Sequence, residues 1–383
     1  MVGSSAGVIM ALPVLGQQAT VPVPRRRSGG PETGADMGHS GRNMATVHLE
    51  RGVTETARHC TAWIAAGPEH GLLMIFIHGC PGLSITWRPQ IEHFASEGWR
   101  CIAPDMRGRG GSSAPDAIAA YTVRELVGDM IELHDALGGR PAVWVGHDWG
   151  SPVAWAMASH HPDRCRGVII LGTPYFARGL ALPTLVPLVD RTLYPEKEFP
   201  VGQWDYWLFY REHFAVSVSD FEADVENTLR YHYRSSGPRV KGKPVITAQI
   251  RANGGWFGKA RRAPAIPHDE LIMGNEDFAL LAGAYRSNGF AVENAWYMND
   301  EANLAYAAEA RNYGKLTTAA LFIHASRDQV CDTTQSRLAE PMREDVPNLT
   351  EVTIDCGHEI QLERPEETNA AISRWVNKTL PRV

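Results

Sequence analysis

The six cysteines of the chain, Cys60, Cys80, Cys101, Cys165, Cys331 and Cys356, stand singly, with no C-x-x-C pair and no short framework spacing. That pattern excludes a disulfide-stapled small scaffold, and reduced thiols in a cytoplasmic protein are the expectation. Long apolar runs are missing as well. Nothing approaches the roughly 18 to 20 residues needed to span a bilayer, and the longest apolar stretches have the length of strands. An excess of positive charge is also absent: 37 Lys and Arg stand against 43 Asp and Glu, a net charge of -6. No basic surface is available for phosphate backbones, so neither nucleic acid nor membrane is an expected partner. No internal repeat and no His/Cys/Asp cluster at metal-ligand spacing is evident; His160 and His161 are adjacent on an expected helix, where their rings diverge.

What the chain does have is 383 residues, 44% of them hydrophobic, enough for a sizeable core. Its first 45 or so residues differ from the rest. "AGVIMALPVLG" resembles a short signal core but lacks a basic segment before it, and Arg25-Arg26-Arg27 follow instead; residues 1–44 are therefore expected to be a disordered extension. From Val47 the pattern becomes short apolar runs separated by turns and helical stretches. Expected strands are Leu72 to Ile77, Arg100 to Pro104, Ala142 to Val145, Gly167 to Leu171, Thr318 to Ile323 and Leu349 to Ile354. Most are near-continuously apolar, as in a parallel sheet covered by helices on both faces. Between Thr173 and about Asn299 this grammar stops and an aromatic-rich helical segment intervenes, read as an inserted lid. The expected division is a core over 45–174, a lid over 175–299 and a second core part over 300–383, ending in a helix that "RPEETNAAISRWVNKTL" announces with an early Pro and an acidic first turn.

Chemistry concentrates at strand ends. "VWVGHDWGS" runs a strand into Gly146-His147-Asp148-Trp149-Gly150 and then a helix, the outline of a nucleophile elbow. The flanking glycines permit the tight turn, and a helix amino end suits an anion. Asp148 would equally serve as a simple helix cap. His78-Gly79-Cys80-Pro81-Gly82 follows "LLMIFI" and offers backbone N–H groups to an oxyanion, with the Trp149 N–H as second donor; a plain Gly-Pro turn is the other reading. Asp328 follows the strand in "FIHASRDQVC", and His358 follows another in "VTIDCGHEIQLERP". The order of acid nucleophile, second acid and histidine matches the triad order of α/β-hydrolases.

On these motifs, together with "DMRGRGGS" at Asp105 to Ser112, the sequence resembles the α/β-hydrolase superfamily and, within it, soluble epoxide hydrolases, over roughly Ala45 to Leu380. The resemblance implies an α/β-hydrolase fold: a mostly parallel central sheet flanked by helices, with an inserted helical lid. It also implies two lid tyrosines that hold an epoxide oxygen, and "WDYWLFY" and "NAWYMND" supply Tyr206 and Tyr297. Tyr210 is the substitute for Tyr206, and Trp149, Trp207 and Tyr210 are expected against substrate. Tyr206, Phe209, Tyr210 and His213 fall at helical spacing and fit a lid core as well. The implied activity is opening of an epoxide to a vicinal diol through an ester on Asp148, hydrolysed by water that His358 and Asp328 activate. An epoxide and water are the expected partners, a homodimer stays open, and no cofactor or metal is required. Haloalkane or haloacid dehalogenation by the same Asp is the alternative. Against it, Cys80 stands where haloalkane dehalogenases often carry a halide-binding asparagine, and Trp149 and Pro152 replace the arginines usual in fluoroacetate dehalogenases.

Overall fold

The computed structural model describes residues 47–238 and 242–380; the extension expected over 1–44 lies outside them. Among the described residues eight strands form one sheet: β1 (Glu50–Glu55), β2 (Cys60–Ala66), β3 (Leu72–Ile77), β4 (Trp99–Pro104), β5 (Ala142–His147), β6 (Cys165–Leu171), β7 (Ala320–Ala325) and β8 (Leu349–Ile354). Their order is β1-β2-β4-β3-β5-β6-β7-β8. β1 and β2 pair antiparallel, β2 meets β4 antiparallel, and every other pairing is parallel. Between β3 and β5 the chain changes its direction of winding, β3 being followed on one side by β4 and on the other by β5. Ligands bind beyond the carboxyl ends of strands at such a switch point.

The central strands are buried because helices cover both faces. β5 is buried at all six positions, and so is β7. The helix α1 (Arg88–Ser96) carries Pro at its start. In α2 (Val123–Ala136) the Thr122 side chain accepts the Glu125 N–H, and Leu126, Met130 and Leu133 recur on the buried face, an amphipathic helix with a side-chain cap. α3 (Gly150–His160) buries nine of its eleven residues, so it is apolar nearly all round rather than striped.

Two strands, β1 and β2, were not among the expected six. β1 reads "ERGVTE" and is exposed or half-buried along its length. As a sheet edge paired only with β2, it needs no apolar run. β7 lies two residues later than expected, because His324 belongs inside it: its ring nitrogens meet Thr333 Oγ1 at 2.7 Å and Glu351 Oε1 at 2.9 Å. A buried polar residue satisfied on both sides does not end a strand.

Between β6 and β7 the described residues form only helices and loops, among them Asp205–Glu212, Phe214–Glu222, Val225–His232, Asn275–Asn288, Ala291–Trp296 and Asp300–Ala307. Among the described residues no helix is long and apolar enough to cross a membrane.

Candidate active site

β5 delivers Asp148 at the switch point. Asp148 itself adopts φ +48°, a left-handed conformation that costs a non-glycine residue about 1–2 kcal/mol, and its C=O accepts the Ser151 N–H at 2.9 Å as α3 begins. The strain thus sits on the acid, whereas the neighbouring glycines supply room. A Cβ on Gly150 would lie 2.1 Å from Ile77 O, and one on Gly79 would lie 2.4 Å from Asp148 Oδ1. Gly79 is what lets the turn after β3 close over the carboxylate. There the Cys80 N–H donates to Asp148 Oδ1 at 2.7 Å. The Trp149 N–H forms no bond to that oxygen in this state, so one of the two expected donors is engaged.

The other carboxylate oxygen faces the histidine. His358 Nε2 is 3.4 Å from Asp148 Oδ2, and His358 Nδ1 is 2.8 Å from Asp328 Oδ2. Asp328, on the loop after β7, is held by the Val330 and Cys331 N–H groups, which donate to its Oδ1 at 2.7 and 2.9 Å. Asp148, Asp328 and His358 are thereby brought into one line. Burial alone would lower the His358 pKa, but the Asp328 charge and the bond to Asp148 outweigh it and hold the imidazole well above its ordinary value. Burial opposes ionisation of both acids; the His358 interactions prevail and keep Asp148 and Asp328 below the ordinary carboxylate value. The resting state is therefore an imidazolium between two carboxylates.

A cavity of about 470 Å³ opens over Asp148, and its wall includes Cys80, Tyr206, Tyr210, Tyr297 and His358. Tyr206 and Tyr297 lie with ring centroids 5.5 Å apart, and Tyr210 is 4.9 Å from Tyr297. All three phenols are buried, and desolvation raises their pKa well above the ordinary value, so each is a protonated donor at neutral pH. Trp149 and Trp207 do not line this cavity. Their rings meet Tyr297 edge-on at 5.0 and 4.9 Å, and the Trp207 Nε1–H donates to the Tyr297 C=O at 2.8 Å. They back the tyrosine instead of touching the open space.

The sequence from 73 to 365 matches the alpha/beta hydrolase fold family. Epoxide hydrolase A of Mycobacterium tuberculosis is 32% identical over 318 residues, 82% of this chain and 92% of that one. The chain is a member of the α/β-hydrolase fold family, among its epoxide hydrolases. Bifunctional epoxide hydrolase 2 of Sus scrofa is 30% identical over 307 residues, and this α/β-hydrolase spans about half of that protein's length (51%). The crystal structure of epoxide hydrolase A from Mycobacterium thermoresistibile superimposes with a TM-score of 0.70 at 28% identity, covering 86% of this chain and 98% of the other.

The roles of several residues of this α/β-hydrolase site escaped the sequence reading. His147 Nε2 lies 2.8 Å from the His358 C=O, and burial pushes its pKa down to about 4, so a neutral ring braces the backbone of His358. His78 Nε2 accepts the Met106 N–H at 2.9 Å, pinning the turn after β3 to the end of β4. Glu359 lines the cavity beside His358, and burial pushes its carboxyl up to about 7. Adjacency to Asp148 and His358 was the available signal for His147 and Glu359. His147, His358 and Glu359 also bring three ligand-type atoms within 4.8 Å. Both His358 nitrogens already face carboxylates, so an ion there would have to displace the triad.

Proposed function

We propose that this chain opens epoxides to vicinal diols through a covalent ester on Asp148, with the helical insertion serving as a lid. The observation that carries the reading is that two neighbouring buried phenols share one cavity with a carboxylate whose second oxygen faces a His–Asp pair. Asp148 Oδ2 attacks an epoxide carbon as the C–O bond breaks. The departing oxygen is hydrogen-bonded by Tyr206 and takes its proton from Tyr297. Asp148 Oδ1, already on the Cys80 N–H, becomes the ester carbonyl oxygen. With the Asp148 charge gone, the His358 imidazolium yields its proton through solvent to the Tyr297 phenolate. Neutral His358 then takes a proton from water, the hydroxide adds to the Asp148 carbonyl carbon, and the ester bond breaks, the departing diol oxygen taking the proton of the added hydroxyl and leaving Asp148 a carboxylate beside the imidazolium. One oxyanion donor is worth roughly 3 kcal/mol of barrier, with the Trp149 amide as the second donor once the tetrahedral oxyanion forms.

An acid at the elbow fits this sequence of events. A carboxylate displaces at saturated carbon and yields an ester that water can cleave at its own carbonyl, whereas serine would leave a stable ether. Trp149, the candidate halide donor, stands behind Tyr297 and not in the cavity wall, which favours the epoxide over an alkyl halide. The six free cysteines suit a reducing, cytoplasmic setting.

The experiment that tests the reading is to compare diol formation from styrene oxide with halide release from a chloroalkane; halide release without diol would overturn it. Within it, Tyr297→Phe should lower kcat on epoxides by about 10²-fold or more, the worth of a general acid. Tyr210→Phe should cost far less, and equal losses would move the proton donor away from Tyr297.

The charges also set a pH dependence. The Asp148 pKa is depressed, so the carboxylate is present above the ordinary carboxylate range and lost only as pH falls below it. The His358 pKa is raised by two anions, one of which disappears when Asp148 is esterified. Single-turnover alkylation should therefore stay level from about pH 5 to 9, while ester hydrolysis should fall as pH drops and His358 becomes protonated. Glu359 is the neighbouring group that titrates inside this window. An acid limb on alkylation within the window would contradict an ionised Asp148.

A further inference from the structure

The turn that carries the Cys80 donor is held from the insertion by two phenols. The Gly82 N–H donates to Tyr285 Oη at 2.8 Å, and Tyr285 belongs to the helix Asn275–Asn288. The Tyr233 hydroxyl donates to the Pro81 C=O. Both the C=O and the N–H of the single Pro81–Gly82 peptide group, just after the oxyanion donor, are thus tied to the lid. Tyr285 is itself fixed: its hydroxyl donates to Glu293 Oε1, Glu293 pairs with Arg109, and the Arg109 guanidinium lies 4.4 Å over the Tyr285 ring. Arg109 Nη1 also donates to the Gly289 C=O at 2.8 Å. Glu293 sits in the helix Ala291–Trp296, four residues before Tyr297, and borders the cavity.

A single buried chain of contacts therefore runs from the oxyanion turn through Tyr285 and Glu293 to the segment that presents the phenol. We infer that Tyr285 is a positioning residue for the second half-reaction, holding the Cys80 N–H on the Asp148 oxygen while the ester is hydrolysed. This rests on the proposed ester mechanism. In alkylation, charge on Asp148 diminishes and the Cys80 N–H matters least. In hydrolysis, an oxyanion forms on Oδ1 and the donor's aim matters most. A brace on the turn consequently acts on one step more than on the other.

Arg109 and Glu293 are poor probes, because removing either leaves the other as an uncompensated buried charge. Tyr285→Phe removes one hydroxyl and keeps the ring under Arg109. The test is stopped-flow and quenched-flow kinetics with styrene oxide, resolving alkylation from hydrolysis, with intact mass reporting the ester fraction at steady state. Tyr285→Phe is expected to slow hydrolysis about tenfold or more while alkylation stays within about threefold, since misaligning a donor costs part of the 10² to 10³ that its removal costs. Ester should accumulate. Tyr233→Phe, which frees the Pro81 C=O, should shift the ratio of the two steps in the same direction and serves if Tyr285→Phe does not fold. Equal slowing of both steps, or a lowered Tm with an unchanged ratio, would make the contact purely structural and overturn the inference. Wild-type protein forming no ester at all would instead sink the ester mechanism itself.

Discussion

Asp148→Asn should reduce diol formation by at least about 10⁴-fold, as loss of a covalent nucleophile does, and should leave no mass adduct on the protein. Asparagine is the informative replacement. It is among the few residues that tolerate a left-handed conformation, so the φ of +48° at this position can persist. Its side-chain oxygen can still accept the Cys80 N–H, which keeps the turn after β3 in place, and Tm should move by only a few degrees. What disappears is the anion facing His358 Nε2 at 3.4 Å. The imidazole pKa should fall as a result, because one of the two charges that raise it is gone, and an NMR titration of the ring reads that directly. More than about 1% of wild-type turnover, with deamidation back to Asp ruled out by peptide mass, would exclude Asp148 as nucleophile. An unshifted His358 titration would contradict the charge balance of the resting triad.

The parts of this molecule legible in its sequence are those governed by local pattern. β3 and β8 have the bounds expected of them: β3 is an apolar run bracketed by turn residues, and β8, the edge strand "LTEVTI", is rich in β-branched residues. β1 was missed because an edge strand needs pairing, and "ERGVTE" carries no apolar run. Asp148, Asp328 and His358 could be singled out because each follows a strand, and the sheet order then brings β5, β7 and β8 to one crevice. The brace residues were illegible. Tyr285 and Gly82 are separated by 203 positions, and neither lies in a pattern that announces the other. Trp149 and Trp207 show the opposite difficulty: aromatic residues beside a site read as a pocket wall, yet in the fold they are the packing behind Tyr297. Sequence spacing tells which residues share a helix face, and only tertiary packing decides whether that face meets a cavity or a core.

His358→Gln should convert the protein from a catalyst into a trap. Turnover should fall by about 10³-fold or more, the range for a base that acts within a catalytic unit, but alkylation should continue, because that step draws on Asp148 and the phenols and asks nothing basic of His358. The variant should also fold. Asp328 keeps the two backbone N–H groups from Val330 and Cys331, and the glutamine amide can donate where Nδ1 did. Loss of the imidazolium leaves Asp148 without its cationic partner, so its pKa should rise from the depressed value, and the trap is best run at pH 8, where the carboxylate stays charged. Incubated with styrene oxide, the protein should gain the mass of one whole epoxide, since ring opening expels no leaving group, and peptide mapping should put the adduct on Asp148. Incubation with a chloroalkane should add nothing. A gain equal to the haloalkane less HCl would make this chain a dehalogenase built on the same triad. Full turnover without an adduct would mean that water attacks the epoxide directly and that Asp148 acts as a base rather than as a nucleophile.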